Sequence, residues 1–292
     1  MSTESKVVST RQETPRPPVV LIQPTRGLAA LRLRDIWHYR ELLFFLAWRD
    51  IKVRYKQTAL GVAWVLLQPI VAVVIFSVIF GLLLQVPSGD IPYPVFAYAA
   101  LLPWNYFAGA LTRSSTSLVL SSNLITKVYF PRLIIPMSAV ASGLVDLGIA
   151  FIVMVGLMGI YGIAPTPAIL MLPLFVLLAA LTALAFGLWL SALNVRYRDI
   201  NYLVPFLVQV WMYATPVIYS MDLIPERYRF LLALNPMTLV VEGFRWALLG
   251  QAMPTLQSSG WLFALSLGVL AFVLVSGLVY FRSTERTFAD IV

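Results

Sequence analysis

The 292-residue chain has no cysteine, a single histidine and little charge: 12% of its residues are Asp, Glu, Lys or Arg, against about 25% in an average soluble domain. The missing cysteines exclude disulfides, thiolate nucleophiles and cysteine-bound zinc or iron–sulfur centres. His38 alone makes no metal-binding cluster. No G-x-x-x-x-G-K-[ST] phosphate loop occurs, so the chain has no cradle of the usual kind for ATP. A G-x-S-x-G elbow, an H-E-x-x-H helix and any close pair of acids within an apolar run are also missing, which leaves general acid–base chemistry almost without candidates. Apolar residues, by contrast, make up 60% of the chain, and the mean hydropathy is +0.85. That composition excludes a water-soluble globular domain and fits one membrane domain of several helices.

Six long stretches are nearly free of charge: 59–84, 91–112, 133–160 (with Asp146), 163–195, 200–221 and about 260–281. Each is long enough for a helix to cross a hydrocarbon layer of about 30 Å. They are continuously apolar, whereas membrane strands alternate over segments of about 10 residues. The expectation is an all-α membrane protein with six transmembrane helices. Segment 222–250 mixes the apolar run Phe230–Leu234 with Asp222, Glu226, Arg227, Arg229, Glu242 and Arg245, and Asn235-Pro236 interrupts it. Neither half reaches spanning length, so a short re-entrant or interfacial helix pair is expected before the last span.

Charge placement sets the orientation. With a cytoplasmic N-terminus, 18 of the 21 Lys and Arg residues fall on the inner side and only Arg227, Arg229 and Arg245 on the outer. Both termini are then cytoplasmic, and the basic surplus is a topology signal rather than a nucleic-acid site. Residues 1–27, rich in Ser, Thr and Pro, read as a disordered cytoplasmic extension without a signal peptide. Residues 28–56 read as an amphipathic helix in the interface plane, and 57–292 as the transmembrane domain.

A few residues invite functional reading. Asp146, the charge inside a span, shares a helix face with Ser138 and Ser142, suiting either an ion or proton site or an interhelical hydrogen-bonding stripe. Ala179, Ala183 and Gly187 form a small-residue row for close helix approach. Aromatic and amide residues within the spans are Trp64, Gln68, Tyr98, Trp104, Tyr106, Phe107, Gln209, Trp211, Tyr213 and Tyr219. Such residues suit a channel passing sugar rings, which stack on aromatics and hydrogen-bond to amides and phenols. They equally suit interfacial belts and packing. Gln68-Pro69, Pro205 and Thr215-Pro216 can kink their helices, either as hinges or as static bends.

Several segments resemble the polysaccharide-export permeases, type-two membrane subunits of the ABC transporter superfamily. They are WRDIKVRYKQTALGVAWVLLQP (48–69), ITKVYFPRLIIP (125–136), NVRYRDI (194–200), ATPVIYS (214–220), LNPMT (234–238) and ERTFADIV (285–292). The resemblance implies a homodimer of six-helix permeases in the bacterial inner membrane, paired with a separate nucleotide-binding subunit dimer. ATP and Mg would be bound by that partner, with no cofactor, metal or catalytic residue in this chain. The implied substrate is a lipid-linked glycan, an O-antigen on undecaprenyl diphosphate or a related teichoic acid or capsule. The resemblance assigns coupling to the nucleotide-binding subunit to Arg49, Lys52, Arg54, Tyr55, Ile125, Lys127, Tyr129, Phe130 and Arg132. It assigns an outer, periplasmic gate to Glu226, Arg229, Glu242 and Arg245, held by salt bridges. Competing readings are a drug or small-lipid exporter of the same fold, and a membrane enzyme using Glu226 and Glu242.

Overall fold

The computed structural model describes residues 37–56, 61–257, 260–285 and 288. By contacts the chain divides into residues 1–31 and 32–292, and the described residues all belong to the second unit. The expected extension 1–27 and the first part of the expected amphipathic helix lie outside them.

All regular structure among the described residues is helical: α1 (Arg40–Lys56), α2 (Gly61–Phe76, continued by a π-helical stretch, Ser77–Leu83), α3 (Tyr93–Leu120), α4 (Ser122–Lys127), α5 (Ile134–Ile160), α6 (Leu172–Arg196), α7 (Ile200–Ala214), α8 (Glu226–Ala233), α9 (Pro236–Leu249), α10 (Pro254–Gln257) and α11 (Trp261–Thr284). Four helical segments are long and apolar enough to cross a membrane: Leu66–Leu83, Ile134–Ile160, Pro167–Arg196 and Trp261–Thr284. They coincide with the first, third, fourth and sixth apolar stretches.

The second and fifth stretches fold differently from uninterrupted lipid-facing spans. Stretch 91–112 becomes α3, a 28-residue helix that runs on past Arg113 and Ser114. It touches α2, α5, α6, α7 and α9. Wrapped by protein, α3 tolerates buried Ser114, Ser115 and Ser117; Ser115 and Ser117 donate to the Thr112 and Ser114 carbonyls of their own helix. Small residues allow this crowding: Ala97, Ala99, Ala100 and Ala110 are fully buried. On α6 the expected row Ala179, Ala183 and Gly187 is turned inward, and a Cβ on Gly187 would run into Ser114 of α3.

Stretch 200–221 stops being helical at Ala214, leaving α7 with 15 residues. Proline disfavours the α conformation at the residue before it, and Thr215, ahead of Pro216, sits at ψ 141°, in the extended region. Pro69 and Pro205 stay inside helices α2 and α7.

α1 lies along α5. Leu46 and Ala47 are buried, while Phe44, Phe45 and Trp48 of the same helix, and Trp37 ahead of it, are exposed. At the same end of the bundle, Leu118, Ile125, Phe130, Leu133, Leu188, Val195, Phe281 and Phe288 close a second core around the helix ends. At the opposite end α9 packs against α3, α6 and the 3-10 turn Pro167–Met171. Pro236 at the first helical position starts α9, the Asn235 side chain accepts from the Met237 amide, and Gly250 stops it in the left-handed region at φ 70°.

Candidate functional site

The ten aromatic and amide residues expected along a channel differ in burial. Tyr98, Trp104, Tyr106 and Phe107 are buried inside the protomer, none more than 3% exposed. Their partners are other helices: Tyr98 donates to the Ala150 carbonyl at 2.7 Å and Tyr106 to the Val140 carbonyl at 3.3 Å. Trp211 is half-buried and meets Phe107 and Phe186 edge-on, at centroid distances of 5.1 and 4.7 Å. These rings therefore bolt α3 to α5, α6 and α7 instead of facing an open path, because α3 occupies the middle of the bundle. Tyr219 is half-buried and donates to the Tyr213 carbonyl at 3.3 Å. Gln68, Gln209 and Tyr213 are exposed. On α7 the exposed residues Tyr202, Phe206, Gln209 and Tyr213 follow one another at i, i+4, i+7 and i+11 and share a face. Trp64 lies in α2, and its side chain is outside the described ones.

Asp146 has partners that sequence reading did not find. It accepts from Arg54, and from the Tyr55 hydroxyl at 2.5 Å. Arg113 of α3 approaches the same carboxylate at 3.5 Å. Two residues expected to couple outward, Arg54 and Tyr55, thus turn inward and tie the last turn of α1 to α5. The apolar stretch 91–112 ends before Arg113, yet α3 continues through it to Leu120. The signal that α3 continues through it was the helical spacing of Leu111, Ser114, Ser115 and Leu118. Arg49 pairs with neighbouring Asp50 at 2.8 Å, and Lys52 is exposed.

The segment 122–132 also divides. Ile125 and Phe130 are buried in the second core, so they anchor α4 to its own bundle and are not available to a partner's cleft. Arg132 donates to the Glu285 carbonyl through its guanidinium, and its backbone amide donates to the Glu285 carboxylate at 3.2 Å. Arg282 completes this tie to the C-terminal end at 2.7 Å. Lys127 and Tyr129 remain exposed, Tyr129 at 80%.

The expected gate residues do not hold one another by salt bridges: among the described residues none of the four forms an ion pair with another. Glu226 is exposed, and Arg229 donates to the Ile224 carbonyl at 3.1 Å. Arg245 is buried in α9, where it donates to the carbonyls of Pro216, Val217 and Tyr219 at 2.8, 2.7 and 3.1 Å. It also lies over the Phe96 ring, 3.6 Å from the centroid. Its role follows from Pro216: where α7 is broken, the freed carbonyls need a donor inside the protein, and the guanidinium fork supplies several. Glu242, one turn away, accepts from the Thr255 amide at 3.2 Å and from the Thr255 hydroxyl. Burial pushes the Glu242 carboxyl up to about 7, against the opposing pull of Thr255 and Arg245.

Of the segments that carried the family resemblance, 125–136 meets 285–292 and 214–220 meets 234–238, while 194–200 is tied to α3. Asn194 donates to the Ser115 carbonyl at 2.9 Å and to Asn201 at 2.8 Å, pinning the turn between α6 and α7 onto α3. Asn235 donates to the Thr215 hydroxyl at 2.8 Å, joining the break after α7 to the start of α9. Among the described residues no group of three or more His, Asp or Glu side chains is placed to hold a metal.

Residues 41–249 match the family model described as ABC-2 type transporter. The O-antigen export system permease protein RfbA of Myxococcus xanthus is 31% identical over 216 residues, covering 73% of this chain and 82% of that protein. A Klebsiella pneumoniae protein of the same name is 27% identical over 253 residues, covering 86% and 95%. The polysialic acid transport protein KpsM of Escherichia coli is 28% identical over 246 residues, covering 82% and 91%.

Proposed function

From the premise that this chain belongs to the ABC-2 type transporter family, we propose that it is the membrane subunit of an ATP-driven exporter that carries an O-antigen or similar lipid-linked polysaccharide across the inner membrane. The observation that carries the reading is the likeness to proteins named as O-antigen export permeases, which runs over most of both chains. Polysialic acid transport relatives support a polysaccharide cargo.

In this reading the permease works as a homodimer, and ATP and Mg bind a separate nucleotide-binding dimer at the cytoplasmic side. The exposed residues Arg49, Lys52, Lys127 and Tyr129 form the docking surface for that partner. Their support is exposure at the end of the bundle where α1 and α4 lie. α3 and α7 complete a set of six crossings, α7 continuing through the broken segment 215–221. α8 and α9 form the re-entrant pair at the outer side. Both termini face the cytoplasm, in keeping with the Lys and Arg asymmetry. The exposed face of α7, with Tyr202, Phe206, Gln209 and Tyr213, is the surface suited to sliding sugar rings.

The test is reconstitution. Deleting the gene should remove a surface glycan, and restoring it should require the neighbouring nucleotide-binding subunit. The purified chain alone should hydrolyse no ATP. Robust turnover by the isolated chain, or full glycan export without it, contradicts the proposal.

A further inference from the structure

Where the start of α5 meets the end of α11, each helix caps the other. Leu133 at the N-cap of α5 has no acceptor side chain, and the amides of Ile134 and Ile135 turn back to the carbonyls of Pro131 and Arg132. The amide just ahead, that of Arg132, is taken by Glu285 Oε1 at 3.2 Å, although 153 residues separate the two in sequence. Glu285 is the residue at which α11 ends. In return, the Arg132 guanidinium donates to the Glu285 main-chain carbonyl. A carboxylate thus stands at the positive end of α5 and a guanidinium at the negative end of α11, each supplied by the other helix. Arg282 holds the second carboxylate oxygen, Oε2, at 2.7 Å and fixes its direction.

Apolar contacts close around this exchange. Phe281 and Phe288 meet edge-on at 5.3 Å and are fully buried, in the same core that takes Ile125, Phe130 and Leu133. The short segment that exposes Lys127 and Tyr129 is therefore fastened to α11 as well as to α5, the helix it leads into. In turn, α11 is held close against α6. A Cβ on Gly277 would lie 2.8 Å from the Ala185 carbonyl oxygen, and the rings of Trp189 and Tyr280 stack at 4.4 Å. A push at Tyr129 cannot carry the start of α5 away from α11 and α6 without breaking these contacts.

We infer that the exchange between Arg132 and Glu285 is the joint through which motion of the nucleotide-binding partner enters α11 and α6, with Glu285 as its positioning residue. Glu285 acts through the segment it holds: it sets where Lys127 and Tyr129 stand relative to the last helix. The charge-assisted bonds and the paired helix ends make the joint stiff, and a stiff joint passes on a displacement instead of absorbing it. The inference rests on the exporter reading for the source of the motion. A tie that served stability alone would strengthen the fold without linking ATP turnover to transport, and the two roles separate in the test.

The full-length chain is co-expressed with the neighbouring nucleotide-binding subunit; the purified complex is assayed for assembly and ATP turnover, and cells for surface glycan. Glu285→Ala should assemble and turn over ATP within about twofold of the wild type, while export falls about tenfold. Glu285→Gln, whose amide oxygen can still accept from the Arg132 amide, should recover most of the export. Export by Glu285→Ala equal to the wild type overturns the inference, as does a matching loss of turnover and export, or no recovery in Glu285→Gln. If Glu285→Ala does not fold, a measurement on the intact joint decides. Because the chain has no cysteine, Asn123→Cys and Ser283→Cys, both at exposed positions, place one pair of spin labels across the joint. Their separation within one protomer, in complexes diluted with unlabelled protomers, should be the same without nucleotide and with a non-hydrolysable ATP analogue. An ATP-dependent change in that separation overturns the inference. If the wild-type chain assembles with no nucleotide-binding subunit, the exporter reading fails and the inference with it; if the complex assembles and exports while the labels move, the joint alone fails.

Discussion

Arg245→Met should unfold the end of the bundle around α9 before anything else. The substitution keeps much of the side chain's apolar volume and removes its donors. Three hydrogen bonds of 2.7–3.1 Å, to Val217, Pro216 and Tyr219, disappear together. Bonds to a charged group contribute about 1.5–3 kcal/mol each, so the gross loss is about 4.5–9 kcal/mol. Removing a buried guanidinium recovers several kcal/mol of desolvation, which leaves a net destabilisation of about 3 kcal/mol. At roughly 2–4 °C per kcal/mol for a chain of this size, the unfolding midpoint should fall by about 6–12 °C. The assay is tryptophan-fluorescence unfolding of the purified chain, with Arg229→Met as the control. Arg229 makes its bond to a single carbonyl at 3.1 Å at a half-buried position where water can replace the donor, so its loss should cost about 1 kcal/mol. A midpoint for Arg245→Met within 2 °C of the wild type would refute the view that this guanidinium satisfies the broken segment after α7.

Glu242, with its carboxyl pushed up to about 7 from an ordinary 4.5, binds its proton more tightly folded than unfolded. Stability from this group is therefore complete below pH about 4.5 and is lost as pH rises toward 7, by on the order of 3 kcal/mol. Glu242→Gln should flatten that part of the pH–stability curve, and an unchanged slope counts against the assignment. Gly187→Val should force α6 off Ser114, whose Cβ would lie 2.8 Å from the new Cβ, at a cost of about 1–3 kcal/mol. Ser114→Gly should return part of that loss in the double variant, and strict additivity in a double-mutant cycle argues against contact. Trp211→Ala should cost about 3 kcal/mol, since the indole joins Phe107 and Phe186 across three helices. A loss of export with unchanged unfolding would instead make Trp211 a lining residue.

Hydropathy by itself determined that this is a helical membrane protein and where four of its long apolar helices run, because hydropathy is a sum over neighbouring residues and needs no knowledge of the fold. The small-residue row on α6 was legible for the same reason: its spacing is local. Interior and lipid-facing positions, however, are both apolar, so no count over 91–112 tells that α3 is enclosed by protein or that Tyr98, Trp104, Tyr106 and Phe107 are packing groups. Ile125 and Phe130 share this ambiguity, reading equally as anchors for a partner or for the chain's own core. The break after Ala214 was half-visible in Thr215-Pro216, but the donor that satisfies it, Arg245, comes from a separate helix. Most hidden was the meeting of Arg54, Arg113 and Asp146. Arg54 and Asp146 stand 92 residues apart in sequence, and only the packing of three helices brings their charges onto one carboxylate oxygen.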